Sequence, residues 1–169
     1  KEKIKDDNDP MMVSKSPKFG DTIISKGVLH PYQIDVKDQV AKLVQEQQRR
    51  IVVQMPTGAG KTMTALEQVV DFVRAHTFQG YIIWIVDSSE LAEQAFASFN
   101  KLWMLRGDRP TNLYRFFGRY NNEFNEPSPH GVVFTTFAKC MPADKKQDSK
   151  VFHNLCKNSK CVIVDEAHH

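Results

Sequence analysis

The chain has 169 residues, of which 41% are hydrophobic and 25% charged, and its formal net charge is +3 at pH 7. These values are ordinary for a soluble globular protein with one hydrophobic core, and the mild positive charge permits a polyanionic partner without requiring one. No apolar run approaches the roughly 20 residues of a membrane span, so we expect no membrane partner.

Cys140, Cys156 and Cys161 are an odd set without a repeated CxxC spacing, which indicates reduced thiols and a cytoplasmic location. A zinc site built from His153, Cys156, Cys161 and His168 is the alternative. It is disfavoured because Cys161 begins an apolar run and unliganded cysteine near a core is much commoner.

Two units are predicted along the chain. Residues 1–29 mix charges with proline and glycine, which predicts an N-terminal extension that is poorly structured or loosely docked. Since this segment does not begin with methionine, we expect the sequence to be part of a longer chain. From Pro31 the apolar spacing in PYQIDVKDQVAKLVQEQQ predicts a helix, with proline suited to its first turn.

Apolar runs then alternate with helical patterns over residues 51–165. Helices are predicted over KTMTALEQVVDFVRAH, over DSSELAEQAFASFNKLW, where Asp87 and Glu90 have the spacing of a capping box, and over parts of 137–158. Buried strands are predicted for IVVQM, YIIWIV, NLYRFF, GVVFTT and CVIVD. This alternation predicts an α/β fold with a parallel sheet covered by helices on both faces, in which ligands bind beyond the carboxyl ends of the strands.

A glycine-rich loop joins IVVQM to the following helix. Its glycines allow a close backbone approach, and amides at a helix N-terminus surround phosphate oxygens. In the P-loop, or Walker A, pattern a lysine reaches the outer phosphates and a threonine hydroxyl binds magnesium, although Met55 replaces the first glycine here. The predicted phosphate-binding residues are Thr57, Gly58, Ala59, Gly60, Lys61 and Thr62.

An acid pair follows the last apolar run. Asp165 comes at the end of CVIV and can hold Mg²⁺, which prefers oxygen ligands. The adjacent Glu166 can orient or deprotonate the water that attacks a γ-phosphate. Catalysis is therefore assigned to Glu166 and Lys61, and magnesium binding to Thr62 and Asp165.

These residues resemble the first of the two RecA-like domains of a superfamily 2 helicase or translocase. MPTGAGKT resembles motif I, VIVDEAHH the DEAH-type motif II, WIVDSSELAEQ motif Ia, and VVFTTFAKC the next nucleic-acid-contacting motif. LHPYQ is similar to the adenine-recognition segment, with His30 in place of a common arginine. TGAGKT with DEAHH looks most like the restriction-enzyme-type DNA translocases. Residues 30–169 would be the ATP-binding domain, ending at motif II.

The resemblance implies further roles. Gln33 would contact adenine, whereas Ser88, Ser89, Thr135 and Thr136 would face a nucleic-acid backbone, DNA more than RNA. A second RecA-like domain would supply arginines for hydrolysis, so the isolated fragment is expected to turn ATP over very slowly. Alternatively, Ser88 and Ser89 are ordinary helix-capping residues. The motif Ia segment also lacks the usual proline and arginine.

A basic and aromatic stretch lies between Lys101 and Tyr120. It contains the basic residues Lys101, Arg106, Arg109, Arg115 and Arg119, interleaved with aromatic side chains. The arginines are compatible with phosphate contacts or with a solvated face, while the aromatics are expected to fill the core.

Two other functions compete with the motor. One is a nucleotide-responsive binding module without motor activity, which an unrelated sequence beyond His169 would favour. The other is a small-molecule kinase, which the lack of a recognisable acceptor pocket or lid disfavours.

Overall fold

The computed structural model describes residues 11–13, 29–75, 79–124, 129–141 and 146–165. The helices and strands alternate over most of this range, as the apolar pattern predicts. In chain order they are β1 (Met11–Val13), α1 (Pro31–Gln45), α2 (Lys61–Arg74), β2 (Gly80–Val86), α3 (Ser89–Arg106), β3 (Thr111–Phe116), β4 (His130–Thr136), α4 (Phe137–Cys140), α5 (Lys146–Lys157) and β5 (Ser159–Val164).

One sheet contains all five strands, in the order β1-β3-β4-β2-β5. The four strands from β2 to β5 are parallel, and β1 pairs antiparallel with β3 at one end. β2 pairs with β4 on one side and with β5 on the other, so Trp84 of β2 lies opposite Phe134 of β4 and Ile163 of β5. Since the strands are parallel, the carboxyl ends of β2, β4 and β5 meet at one edge of the sheet.

Helices cover both faces of the sheet, and each face has its own core. The alternation of β2 directs Ile82, Trp84 and Val86 to the face covered by α2 and α3, and the intervening residues to the face covered by α4 and α5. The predicted inward residues of α2 are all buried, namely Leu66, Val69, Val70 and Val73. The predicted parallel α/β sheet covered on both faces is therefore confirmed.

The prediction of a buried strand over IVVQM is wrong. Residues 51–56 do not pair as a strand, and the Val52 side chain is 95% exposed although Met55 is buried. β-branched residues favour a strand only when a neighbouring strand pairs with them. None of the strands in the described ranges pairs with this segment.

Two smaller predictions also change. CVIVD does form a strand, but Val162 and Val164 are exposed, because β5 ends the sheet and pairs only with β2 among the described strands. The α3 helix is capped by Ser88, whose Oγ accepts a hydrogen bond from the Leu91 amide, so Asp87 is not the cap.

Parts of several predicted segments fall outside the described residues. They include residues 1–10 and 14–28 of the predicted N-terminal extension, whose residues 11–13 form β1, and the segment around Pro142. Across the portion that the structure covers, none of the helices is both long and apolar enough for a membrane crossing.

Candidate nucleotide-binding site

The glycine-rich loop leads directly into α2. Gly58 and Gly60 have φ angles of 76° and 75°, in the left-handed region that glycine adopts without a side-chain penalty. The Ala59 amide donates to the Pro56 carbonyl and closes the turn between them. Gly60 is the N-cap of α2, so the backbone amides of the first helical turn have no hydrogen-bond partner within the helix.

Thr62 and Asp165 meet although they are 103 residues apart, because the Thr62 hydroxyl donates a 2.7 Å hydrogen bond to Oδ2 of Asp165. Thr62 belongs to the first turn of α2, and Asp165 directly follows β5. The Asp165 amide donates to the Ile85 carbonyl, which fixes the aspartate at the carboxyl edge of the sheet. The structure therefore brings the glycine-rich loop and the acid motif together.

A cavity of about 360 Å³ opens at this junction. Its size is that of small-ligand pockets, which have roughly 300–1,000 Å³. Gly58, Gly60, Lys61, Thr62 and Asp165 line it on one side.

Another part of the cavity lining comes from α3, which was not among the predicted elements of the site. Leu91, Gln94, Ala95 and Ser98 line it. Their spacing of three and four residues places them on one helical face. This part of the lining could have been identified from the sequence, because the polar residues Gln94 and Ser98 share a helical face with the apolar residues Leu91 and Ala95.

Gln33 lies behind the loop and is not among the residues that line the cavity. Its side chain is buried, and its Nε2 donates a 3.0 Å hydrogen bond to the Ala59 carbonyl. Its Oε1 accepts a hydrogen bond from the His30 amide. The Tyr32 hydroxyl donates to the same Ala59 carbonyl at 3.1 Å. Gln33 therefore supports the backbone of the loop, and its contact with adenine stays a prediction.

The remaining predicted nucleotide residues differ in how far the structure describes them. Thr57 is exposed at the start of the loop, and Ala59 takes part through its carbonyl. Glu166 lies outside the described residues, so its catalytic role stays a prediction.

The four predicted nucleic-acid contacts follow β2 and β4. Ser88 and Thr136 act as N-caps of α3 and α4, while Ser89 is half-buried. Thr135 is fully buried, and its hydroxyl lies 3.5 Å from the Cys140 sulfur. Thr136 is also buried, since helices cover both faces of β4. The nucleic-acid roles of Ser88, Ser89, Thr135 and Thr136 stay predictions.

Arginines of the basic stretch are bound within the fold. Arg115 forms two 2.8 Å hydrogen bonds with the Glu93 carboxylate, and its guanidinium lies 3.6 Å above the Phe96 ring centre. Arg106 pairs with Glu67 and Asp71 of α2. Structural contacts thus account for these two side chains, and the alternative of a free solvated face does not apply to them.

The other titratable and metal-binding groups do not form a second site in the parts of the chain that are described. Burial raises the pKa of the Cys140, Cys156 and Cys161 thiols, which favours their neutral form. Within those same parts, no three His, Cys, Asp or Glu residues gather in an arrangement that could hold a metal ion. His168, one of the four residues of the zinc alternative, lies outside them.

Comparison with known proteins gives the family. Residues 26–169 match the family described as type III restriction enzyme, res subunit. Because the match covers most of the chain, the chain belongs to this family. The predicted resemblance to a superfamily 2 RecA-like domain of restriction-enzyme type is confirmed, and the family implies the use of a nucleotide.

One curated protein and one solved structure are similar to this chain. The chain is 27% identical to the type I restriction enzyme EcoKI endonuclease subunit of Escherichia coli over 143 residues. This aligned region covers 83% of this chain and 11% of that subunit. A nuclease-deletion mutant of the type ISP restriction-modification enzyme LlaGI, solved in complex with a DNA substrate mimic, shares the fold. It has a TM-score of 0.54 and 18% identity, and the match covers 84% of this chain and 15% of that chain. The chain thus spans a small part of either relative.

Proposed function

We propose that this chain is the ATP-binding part of an ATP-dependent DNA helicase or translocase of the restriction-enzyme type. The observation that carries the proposal is the 2.7 Å hydrogen bond between Thr62 and Asp165. This bond joins the glycine-rich loop to the acid motif beside a cavity of small-ligand size. We assign the DNA substrate by analogy, because the LlaGI relative was solved with a DNA substrate mimic. In this proposal a second RecA-like domain completes the motor, which acts in the cytoplasm.

The lining residues fit a bound triphosphate. Lys61 begins α2, where the helix terminus already carries partial positive charge, so its ammonium group adds to a field that favours phosphate. Gly58 and Gly60 carry no side chain between the backbone amides and the cavity. Lys61 would hold the outer phosphates and orient the γ-phosphate for attack by water.

The donor atoms also fit magnesium. The Thr62 hydroxyl and the Asp165 carboxylate are oxygen donors, the ligand type that Mg²⁺ prefers, and the two groups lie within hydrogen-bonding distance of one another. Bound there, Mg²⁺ would neutralise charge on the phosphate oxygens. We assign Glu166, the residue after Asp165, the role of orienting and deprotonating the attacking water.

Nucleotide binding tests the first half of the proposal. Lys61→Ala removes a charged hydrogen-bond donor, so we expect the Kd for Mg·ADP to rise by about tenfold or more. Isothermal titration calorimetry measures this change. Lys157→Ala is the matched control, because Lys157 is an exposed lysine at the end of α5, away from the cavity lining. Equal affinities for wild type and Lys61→Ala would contradict the assignment of the cavity.

The motor half is tested on a full-length protein that contains this chain. ATP hydrolysis is measured with single-stranded and double-stranded DNA and with the two matching RNAs. Stimulation by DNA that is abolished by Lys61→Ala supports a DNA motor. Nucleotide binding without stimulation by any of the four nucleic acids would favour the nucleotide-responsive binding module.

A further inference from the structure

No apolar side chain of the α1 helix is fully buried. Of its fifteen residues, all of which are described, only Gln33 is buried. Ile34 and Val44 are 44% and 43% exposed, and Val36, Val40 and Leu43 are half-buried. Burial of apolar surface is the usual source of helix docking energy, so we expect a polar contact to contribute to the attachment of α1.

The start of α1 nevertheless carries the side chains that support the glycine-rich loop. Gln33 and Tyr32 both donate to the Ala59 carbonyl. Gln33 also lies directly against Gly60, since a Cβ atom added to that glycine would lie 2.5 Å from its Nε2. A small displacement of α1 would therefore remove both hydrogen bonds to the loop.

Lys37 supplies such a contact. It lies one helical turn after Gln33 and therefore on the same face of α1. Its Nζ lies 2.7 Å from Oδ2 of Asp71 and 3.8 Å from Oε2 of Glu67, both on α2. The Lys37 side chain is 11% exposed. Among the described residues, it is the one member of α1 that forms an ion pair with another helix.

The same two carboxylates also bind α3. Arg106, the last residue of α3, pairs with Glu67 and with Asp71. Glu67 is buried, and removal of either cation leaves the other one beside it. The cluster therefore has two separable halves, Lys37 holding α1 to α2 and Arg106 holding α3 to α2.

We infer that Lys37 is a positioning residue of the nucleotide site. It holds α1 against α2, and α1 in turn holds Gln33 and Tyr32 against the carbonyl of the glycine-rich loop. This inference rests on the proposed function, because the loop must bind nucleotide for its position to matter. Lys37 itself is not among the residues that line the cavity.

The test compares two substitutions that each delete one cation from the cluster. Lys37→Met keeps most of the aliphatic stem and frees α1, whereas Arg106→Met frees the end of α3 and leaves the α1 attachment intact. The measured quantities are the Kd of the protein for Mg·ADP and the melting temperature. When the binding-competent arrangement is populated for only a fraction of the time, the apparent Kd equals the intrinsic Kd divided by that fraction.

We expect Lys37→Met to raise the Kd by about fivefold, as the loss of one partly screened ion pair allows. Arg106→Met should lower the melting temperature while the Kd stays within about twofold of wild type, since the α1 ion pair remains. An unchanged Kd in Lys37→Met overturns the inference. A similar rise in both variants also overturns it, because general loosening would then explain the effect.

A second comparison tests whether Lys37 acts through Gln33 and Tyr32. If it does, adding Lys37→Met to a Tyr32→Phe, Gln33→Ala background should leave the Kd unchanged, since both hydrogen bonds to the Ala59 carbonyl are already removed. Independent, multiplying effects would show that Lys37 acts in another way. Failure of the proposed function has a different result, because wild type would then bind no nucleotide or Lys61→Ala would bind as well as wild type.

Discussion

Replacement of the two loop glycines by alanine separates a backbone effect from a contact effect. Gly58 and Gly60 have almost the same φ, 76° and 75°, so an alanine at either position incurs a similar left-handed penalty of about 1 kcal/mol. Their surroundings differ. An added Cβ at Gly58 meets no atom within 4 Å, whereas at Gly60 it meets the Gln33 amide nitrogen at 2.5 Å.

In Gly60→Ala the Gln33 side chain must move away, which breaks its 3.0 Å hydrogen bond to the Ala59 carbonyl. A buried hydrogen bond of this kind contributes about 1 kcal/mol. We therefore expect the free energy of unfolding to fall by about 1 kcal/mol in Gly58→Ala and by about 2 kcal/mol in Gly60→Ala.

Urea unfolding followed by circular dichroism measures both values, provided that the slopes of the transitions agree. The control is the same pair of substitutions in a Gln33→Ala background, where no collision remains and the two costs should become equal. Equal costs in the wild-type background would refute the packing of Gln33 against Gly60, and with it the support that α1 gives to the loop.

Two further predictions concern residues outside the loop. Arg115→Gln removes the paired hydrogen bonds to Glu93, so we expect the free energy of unfolding to fall by about 1 kcal/mol. The salt dependence of DNA binding should not change. If the slope of the logarithm of the binding constant against the logarithm of salt concentration became smaller by about one, Arg115 would instead contact a phosphate. Burial raises the pKa of the Cys140 thiol, so its contribution to stability is present below the unfolded thiol pKa of about 8.5 and is lost as pH rises through the folded value. The melting temperature should therefore fall less between pH 8 and 10 in Cys140→Ala than in wild type, and equal falls would contradict this.

Hydrophobic periodicity predicted the parallel sheet and the helices on its faces because the decisive residues lie in the core. YIIWIV is apolar at every position and forms β2, which pairs with β4 on one side and β5 on the other and is buried on both faces. The same reasoning failed for IVVQM, which has equally high strand propensity. Whether a segment forms a strand depends on which other strand lies beside it in the fold, and the composition of the segment does not specify that neighbour.

The nucleotide site shows a similar division. The meeting of Thr62 with Asp165 was predicted by pairing the glycine-rich loop with the acid motif, although only Asp165 follows a strand and residues 51–56 before the loop form none. The ion pairs of Lys37 were missed, since its partners Glu67 and Asp71 lie on another helix and no local spacing relates them. Thr135 and Thr136 are both buried because helices cover both faces of β4, which the two residues alone do not indicate.

The position of the glycine-rich loop follows from side-chain contacts on two sides. Residues 51–54, which lead into it, pair with no strand in the described part of the chain, so backbone hydrogen bonds of the sheet do not fix the loop. On one side Thr62 ties the start of α2 to Asp165 at the end of β5, and on the other Gln33 and Tyr32 tie the loop to α1. Because each of these hydrogen bonds comes from one side chain that a substitution can remove, the geometry of the loop should respond to substitutions at Thr62, Gln33 or Tyr32 even where the core of the sheet keeps its stability.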